Sequence, residues 1–143
     1  MTESPLTVII LAAGQGTRMK SSKPKVLHEL AGVSLLGHVL STTAQLGAAH
    51  VVAVVRHERD AIAEVIVEHL PSALIVDQDE LPGTGRAVEL GLAALPADLD
   101  GQLVVLSADV PLLDAETIQG LVSSHQESGN ALTLLSAFFA DPT

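Results

Sequence analysis

The feature that most constrains this chain is an alternation of short continuous apolar runs with longer apolar stripes of helical period. Runs at residues 6–11, 51–55, 73–76, 103–106 and 131–135 have strand length. Between them, apolar residues recur three and four apart. Leu36, Val39, Leu40, Thr43 and Leu46 form one stripe, preceded by Ser34 and stopped at Gly47. Ile62, Val65, Ile66 and Leu70 form the next. Val88, Leu92 and Leu95 follow Thr84, which can cap a helix, and Pro96 halts them. Ile118, Leu121, Val122 and His125 follow Asp114, a second capping residue. Glu116 there suits the helix dipole, and Gly129 suits the end. Strands alternating with helices predict a parallel sheet with right-handed crossovers. The expected fold class is α/β and Rossmann-like: a predominantly parallel sheet flanked by helices, in one domain across residues 1–143. No internal repeat, linker or low-complexity segment interrupts it.

Composition supports a packed chain and narrows its partners. Hydrophobic residues make up 48% and charged residues 17%, which is globular rather than disordered. The apolar residues are mostly small or branched aliphatics, as a sheet buried on both faces requires. The net charge of -10 argues against duplex nucleic acid and anionic membranes. No apolar run approaches the roughly 20 residues of a membrane span. The N-terminus lacks the positive charge of a secretory signal, so a cytoplasmic protein is expected. Cysteine is absent, which removes disulfides and thiolate metal sites. Of seven Lys and Arg residues, four crowd one stretch: Arg18, Lys20, Lys23 and Lys25. One cationic spot on an acidic body suits a small anionic ligand.

In open α/β sheets, ligands gather beyond the carboxyl ends of the strands. The stretch 14–25 follows the first run, Gln78 the third, and Asp109 the fourth. All three are expected on one sheet edge. Gly14 and Gly16 free the backbone to bring N–H groups close to an anion. Pro24 biases Lys23 towards extended backbone, so the stretch reads as loop. Two common nucleotide loops are excluded. A dinucleotide fingerprint needs glycine where Met19 stands, and no P-loop motif occurs.

These residues carry a resemblance. Leu11-Ala12-Ala13-Gly14-Gln15-Gly16-Thr17-Arg18-Met19, followed by Pro24-Lys25-Val26-Leu27-His28, resembles the signature loop of the sugar-nucleotide pyrophosphorylases. Leu30-Ala31-Gly32 and His38-Val39 resemble one branch: the bacterial bifunctional N-acetylglucosamine-1-phosphate uridylyltransferases and glucosamine-1-phosphate acetyltransferases. Gln78, with Gly83-Thr84-Gly85 and Ala87-Val88, resembles that branch's uracil-contacting segment. Asp109-Val110-Pro111-Leu112-Leu113 resembles its metal-binding segment.

The resemblance implies a uridylyl transfer. A sugar-1-phosphate oxygen attacks the α-phosphate of UTP, giving UDP-N-acetylglucosamine and pyrophosphate for cell-wall precursor synthesis. Arg18 and Lys25 are the implied catalytic residues, Arg18 on the leaving pyrophosphate and Lys25 on the α-phosphate. Leu11, Ala12, Ala13, Gly14, Gly16, Thr17, Gln78, Gly83 and Thr84 are the implied nucleotide contacts. Asp109 is the implied ligand of Mg²⁺; because Asp114 is the better cap, Asp109 is free for metal. The six histidines form no ligand-spaced motif and read as ordinary surface or core residues.

Three positions depart from the family. Ala108 stands where glycine is usual, and its methyl is expected to crowd the nucleotide's sugar. Pro82 replaces a leucine and Arg86 a histidine. The family's domain also continues past the position of Thr143, into amino-sugar contacts and a second metal ligand. A β-helix acetyltransferase domain follows, through which the family forms homotrimers. The chain alone is therefore expected to bind nucleotide without turnover. Two other readings stay open: a related transferase for another sugar or a molybdopterin, and a non-catalytic nucleotide-binding module.

Overall fold

Four parallel strands carry the chain in the computed structural model, which describes residues 4–16 and 19–140. They are β1 (Leu6–Ala12), β4 (His50–Val55), β5 (Leu74–Asp77) and β6 (Gln102–Ser107), in the order β5-β4-β1-β6. A small antiparallel hairpin, β2 (Glu29–Leu30) and β3 (Val33–Ser34), precedes the first helix. The helices are α1 (Leu35–Ala44), α2 (Arg59–His69), α3 (Thr84–Ala93) and α4 (Ala115–Ser128).

β1 is central because its two faces are both apolar. Val8, Ile10 and Ala12 pack with Leu36, Val39 and Leu40 of α1, Ile62 and Ile66 of α2, and Ile118 of α4. Ile9 points the other way, against Val52, Val54, Ala87 of α3 and Leu95. The period-2 alternation of a strand thus builds two core layers from one run of seven residues. α3 approaches β1 closely because Gly91 has no side chain. A Cβ there would lie 3.1 Å from Ile9 Cδ1.

The caps expected from sequence fall in two groups. Ser34 Oγ accepts from Gly37 N at 3.0 Å, and Asp114 Oδ1 accepts from Thr117 N at 2.8 Å. Gly129 closes α4 in the left-handed conformation. Thr84 does not cap. Gly83 takes that position at φ 112, no side chain caps the helix, and Thr84 is the first helical residue. Glycine alone tolerates that backbone, so the cap moves one residue earlier.

The run 131–135 is not a strand. Leu132 is 74% exposed and Leu134 78%. Strand propensity needs a ladder partner to satisfy the backbone, and this segment has none among the described residues. Thr133 Oγ1 is instead tied to His125 and Asn130. The β2–β3 hairpin, conversely, escapes a periodicity reading because its strands have two residues each. Its turn takes positive φ at both Ala31 and Gly32.

Two expectations follow from the packing. β6 is the outer strand on its side, and Leu103 and Val105 on its α3 side remain exposed. Exposed apolar strand surface favours pairing between chains. The chain is expected to self-associate with concentration in sedimentation velocity, and Val105→Lys to shift it towards monomer. The second expectation concerns Thr7, buried in β1 with its hydroxyl unpartnered among the described residues. Thr7→Val keeps the shape and removes the orphaned hydroxyl, so it should stabilise the fold by about 1 kcal/mol in denaturant melts.

Candidate active site

The loops after β1, β5 and β6 open on the carboxyl edge of the sheet. β5 and β4 lie to one side of β1, and β6 to the other. The chain's direction of winding reverses between β1 and β6, the switch point at which such sheets open a crevice. A cleft of about 320 Å³ lies there. Leu11 lines it from β1, Gly14 and Gly16 from the loop that follows, and Ser107 and Asp109 from the end of β6. Thr84 at the start of α3 completes its wall with Met19, Lys25 and Val26.

Lys25 is delivered by a single 3-10 turn at Lys25–Leu27 that follows Pro24. Val26 is buried in the core, so the turn is anchored by one apolar side chain and its neighbour faces the cleft. Gly16 packs directly beneath. Its φ is +60, and a Cβ there would lie 2.7 Å from Lys25 Cβ. Gly14 has nothing within 4 Å of the same position, which leaves open space towards the cleft.

Asp109 follows β6, where alternation sends Val104, Leu106 and Ala108 into the core and leaves Ser107 on the cleft side. Ala108 is 1% exposed, and its N–H donates to Leu11 O at 3.0 Å. Its methyl is therefore core, and the expected crowding of a nucleotide sugar is corrected. Lys25 Nζ donates to Asp109 Oδ2 at 2.6 Å, across 84 residues of sequence. Ser107 Oγ donates to Asp109 Oδ1 at 2.6 Å. The Lys25 ammonium, and next the Ser107 hydroxyl, hold the Asp109 carboxyl below its ordinary value.

The sign of the pH effect follows. A depressed carboxylate stabilises the fold above its unfolded pKa near about 4, and that contribution disappears as pH falls through the lower folded value. Lys25→Met should raise the Asp109 midpoint towards the ordinary value, measured by carboxyl NMR titration. An unmoved midpoint would place the cause elsewhere.

Of the other sequence candidates, Ala12 is buried and Ala13 packs against the α3-side core, so neither side chain lines the cleft. Gln78 directly follows β5 and does not line the cleft. Its Nε2 donates to Leu81 O at 2.9 Å and Gly83 O at 3.1 Å. Thr17 and Arg18 lie outside the described residues. Ser107 was not among the candidates. Its signal is its spacing: two positions before Asp109 at a strand end, it shares that residue's side. Four histidines, His28, His38, His69 and His125, are hydrogen-bonded within the protein. Among the described residues, no three His, Asp or Glu side chains gather as a metal cluster.

Known proteins share this sequence and fold. The bifunctional protein GlmU of Clavibacter sepedonicus is 63% identical over 138 residues, covering 96% of this chain. That of Leifsonia xyli is 60% identical over the same length. The resemblance to the bifunctional branch read from the motifs is borne out by the names of these relatives. The chain spans about 28% of the length of these relatives. Among solved structures, Rv0371c from Mycobacterium tuberculosis superposes with a TM-score of 0.71 at 20% identity, over 89% of this chain and 63% of that one. The 4-diphosphocytidyl-2C-methyl-D-erythritol synthase from Anaerococcus prevotii gives 0.68 at 19%, over 87% and 52%. These likenesses bear out the α/β fold class. Residues 8–138, which hold every described residue of the cleft, match the MobA-like NTP transferase domain, and the chain belongs to that family.

Proposed function

We propose that this domain supplies the nucleotide side of a uridylyl transfer from UTP to N-acetylglucosamine-1-phosphate. The reading rests most heavily on one juxtaposition: Lys25 and Asp109 meet at 2.6 Å in the crevice between β1 and β6. A cation for phosphate and an oxygen ligand for a metal therefore share one point. The identity to GlmU proteins supports the choice of nucleotide and acceptor.

The residues present fit a magnesium ion bound together with a nucleotide. Mg²⁺ is commonly held by one or two carboxylates plus substrate phosphates and water. Asp109 supplies a hard carboxylate, and Ser107 adds a hydroxyl oxygen within hydrogen-bonding distance of it. When bound, the ion neutralises phosphate charge. The chain's own groups do the rest. The loop around Gly14 and Gly16 brings backbone N–H groups to the triphosphate. Lys25 leaves Asp109 and pairs with the α-phosphate, while Arg18 pairs with the leaving pyrophosphate. Thr84 and the loop from Gln78 to Gly83 hold the base. The acceptor's phosphate oxygen forms a bond to the α-phosphorus. The bond from that phosphorus to the bridging oxygen breaks, and pyrophosphate carries away the electron pair. Because the nucleophile is already anionic, positioning and charge stabilisation provide the catalysis, without a strong base.

The same reading places the protein in the cytoplasm. No helix among the described residues is long and apolar enough to cross a membrane. The homotrimer and the acetyl transfer of the bifunctional branch rest on the resemblance alone. Calorimetric titration of the chain with UTP, CTP and GTP, each with Mg²⁺, tests the nucleotide. Pyrophosphate release on adding N-acetylglucosamine-1-phosphate, measured in a version extended to the length of the GlmU relatives, tests the reaction. Preference for another nucleotide, or no binding of any, would sink this assignment.

A further inference from the structure

The connection from β5 to α3 is braced by a charged network that the proposed chemistry does not use. Arg86 lies in the first turn of α3. Its Nε donates to Asp79 Oδ2 at 3.0 Å, and its Nη2 to the same oxygen at 2.5 Å. Its Nη1 donates to Glu89 Oε2 at 2.8 Å. Asp79 Oδ1 also accepts from Leu81 N at 3.2 Å. Gln78 binds the carbonyls of Leu81 and Gly83 through its amide nitrogen, and Gly83 O accepts from Ala87 N at 3.2 Å. Three of these links tie the loop to itself, and the Arg86–Asp79 pair ties it to the first turn of α3.

Two consequences follow. Arg86 shares its charge between two carboxylates, so it is poorly placed as a free phosphate ligand. And with the Gln78 nitrogen committed to the loop, its carbonyl Oε1 is the group left to meet a ligand. An amide held in one orientation presents an acceptor; a released amide can flip and present either group. Exposed ion pairs are usually weak, but a guanidinium bonded through two nitrogens and tied into a network is the favourable exception. Arg86 is 28% exposed.

We propose that the Asp79–Arg86 pair is a positioning latch that holds Gln78 in one orientation and thereby sets discrimination between uracil and cytosine bases. This rests on the nucleotide reading above. An acceptor at Oε1 complements the N3–H of uracil, whereas cytosine carries a lone pair at N3. Loss of the latch frees the amide and erodes the distinction.

The test is the affinity of the chain for Mg²⁺-UTP and Mg²⁺-CTP by calorimetry, with melts to verify folding. Asp79→Asn and Arg86→Ala should each weaken UTP about tenfold and leave CTP nearly unchanged. The double variant should lose no more than either single one. Arg86→Lys keeps the charge but not the fork, so it should fall between; it also serves if Arg86→Ala does not fold. An unchanged UTP-to-CTP ratio in folded variants overturns the latch alone. So does tighter UTP binding by Asp79→Asn, because it would mean that Arg86 binds phosphate directly. If the unsubstituted chain binds neither nucleotide, the functional reading fails and the latch with it.

Discussion

Asp109→Asn is expected to remove the magnesium dependence of UTP binding while leaving the fold intact. Among the described residues, this carboxylate is the only acidic side chain lining the cleft. Losing a metal ligand should lower affinity for Mg²⁺-UTP by about 10²-fold. Without metal the effect should reverse. Lys25 now spends its ammonium on Asp109 Oδ2, and asparagine would release it to the phosphates. UTP affinity in chelator should therefore rise about two- to fivefold, in line with the strength of a partly exposed pair. Thermal stability should change little, because the Lys25 and Asp109 side chains are 40% and 31% exposed. Calorimetry with and without Mg²⁺ measures both arms. Equal losses in the two conditions would mean that Asp109 shapes the cleft and does not hold a metal.

Gly16→Ala should be as damaging, by a different route, and Gly14→Ala separates the two. At Gly16 the backbone is left-handed at φ +60, and an added Cβ would sit 2.7 Å from Lys25 Cβ. The strain costs about 1 kcal/mol for a residue with a side chain. The overlap involves a Cβ fixed to the backbone, so the turn carrying Lys25 must shift. A misplacement of order 1 Å can cost about 10²-fold in rate, and a comparable loss is expected in pyrophosphate release by a version extended to the length of the GlmU relatives. At Gly14 an added Cβ meets nothing within 4 Å, and the φ is not positive. Gly14→Ala should therefore melt within about 0.5 kcal/mol of the parent. Any loss of nucleotide affinity there would come from contact with the ligand itself. If Gly16→Ala melts and binds as the parent does, Lys25 is not held by this glycine.

The larger frame of the molecule was legible in the residues. Long runs with a clear period read correctly: the apolar cores of β1, β4 and β6 and the stripes of α1, α2 and α4. Burial on one or two faces imposes the period that the eye detects. Ser34 and Asp114 cap where their side chains predicted, because capping is a contact over three residues and needs no distant partner. The carboxyl-edge rule brought the first loop and Asp109 to one cleft, since both follow strands of the same parallel sheet.

What failed or stayed hidden depends on partners far away in sequence. The run 131–135 has strand composition, but a strand exists only where a ladder accepts it. Thr84 looked like a cap, yet the turn's backbone at φ 112 gave that place to Gly83. Ala108 looked like an intrusion on the ligand until the pleat of β6 sent its methyl into the core. No local pattern connects Lys25 with Asp109, 84 residues apart. Local chemistry and period, which the sequence carries by itself, determined the fold class, the sheet edge and most of the candidate residues. Tertiary structure alone decided that Lys25 meets Asp109, because that pairing is set by strand order and loop path and appears in no window of neighbouring residues.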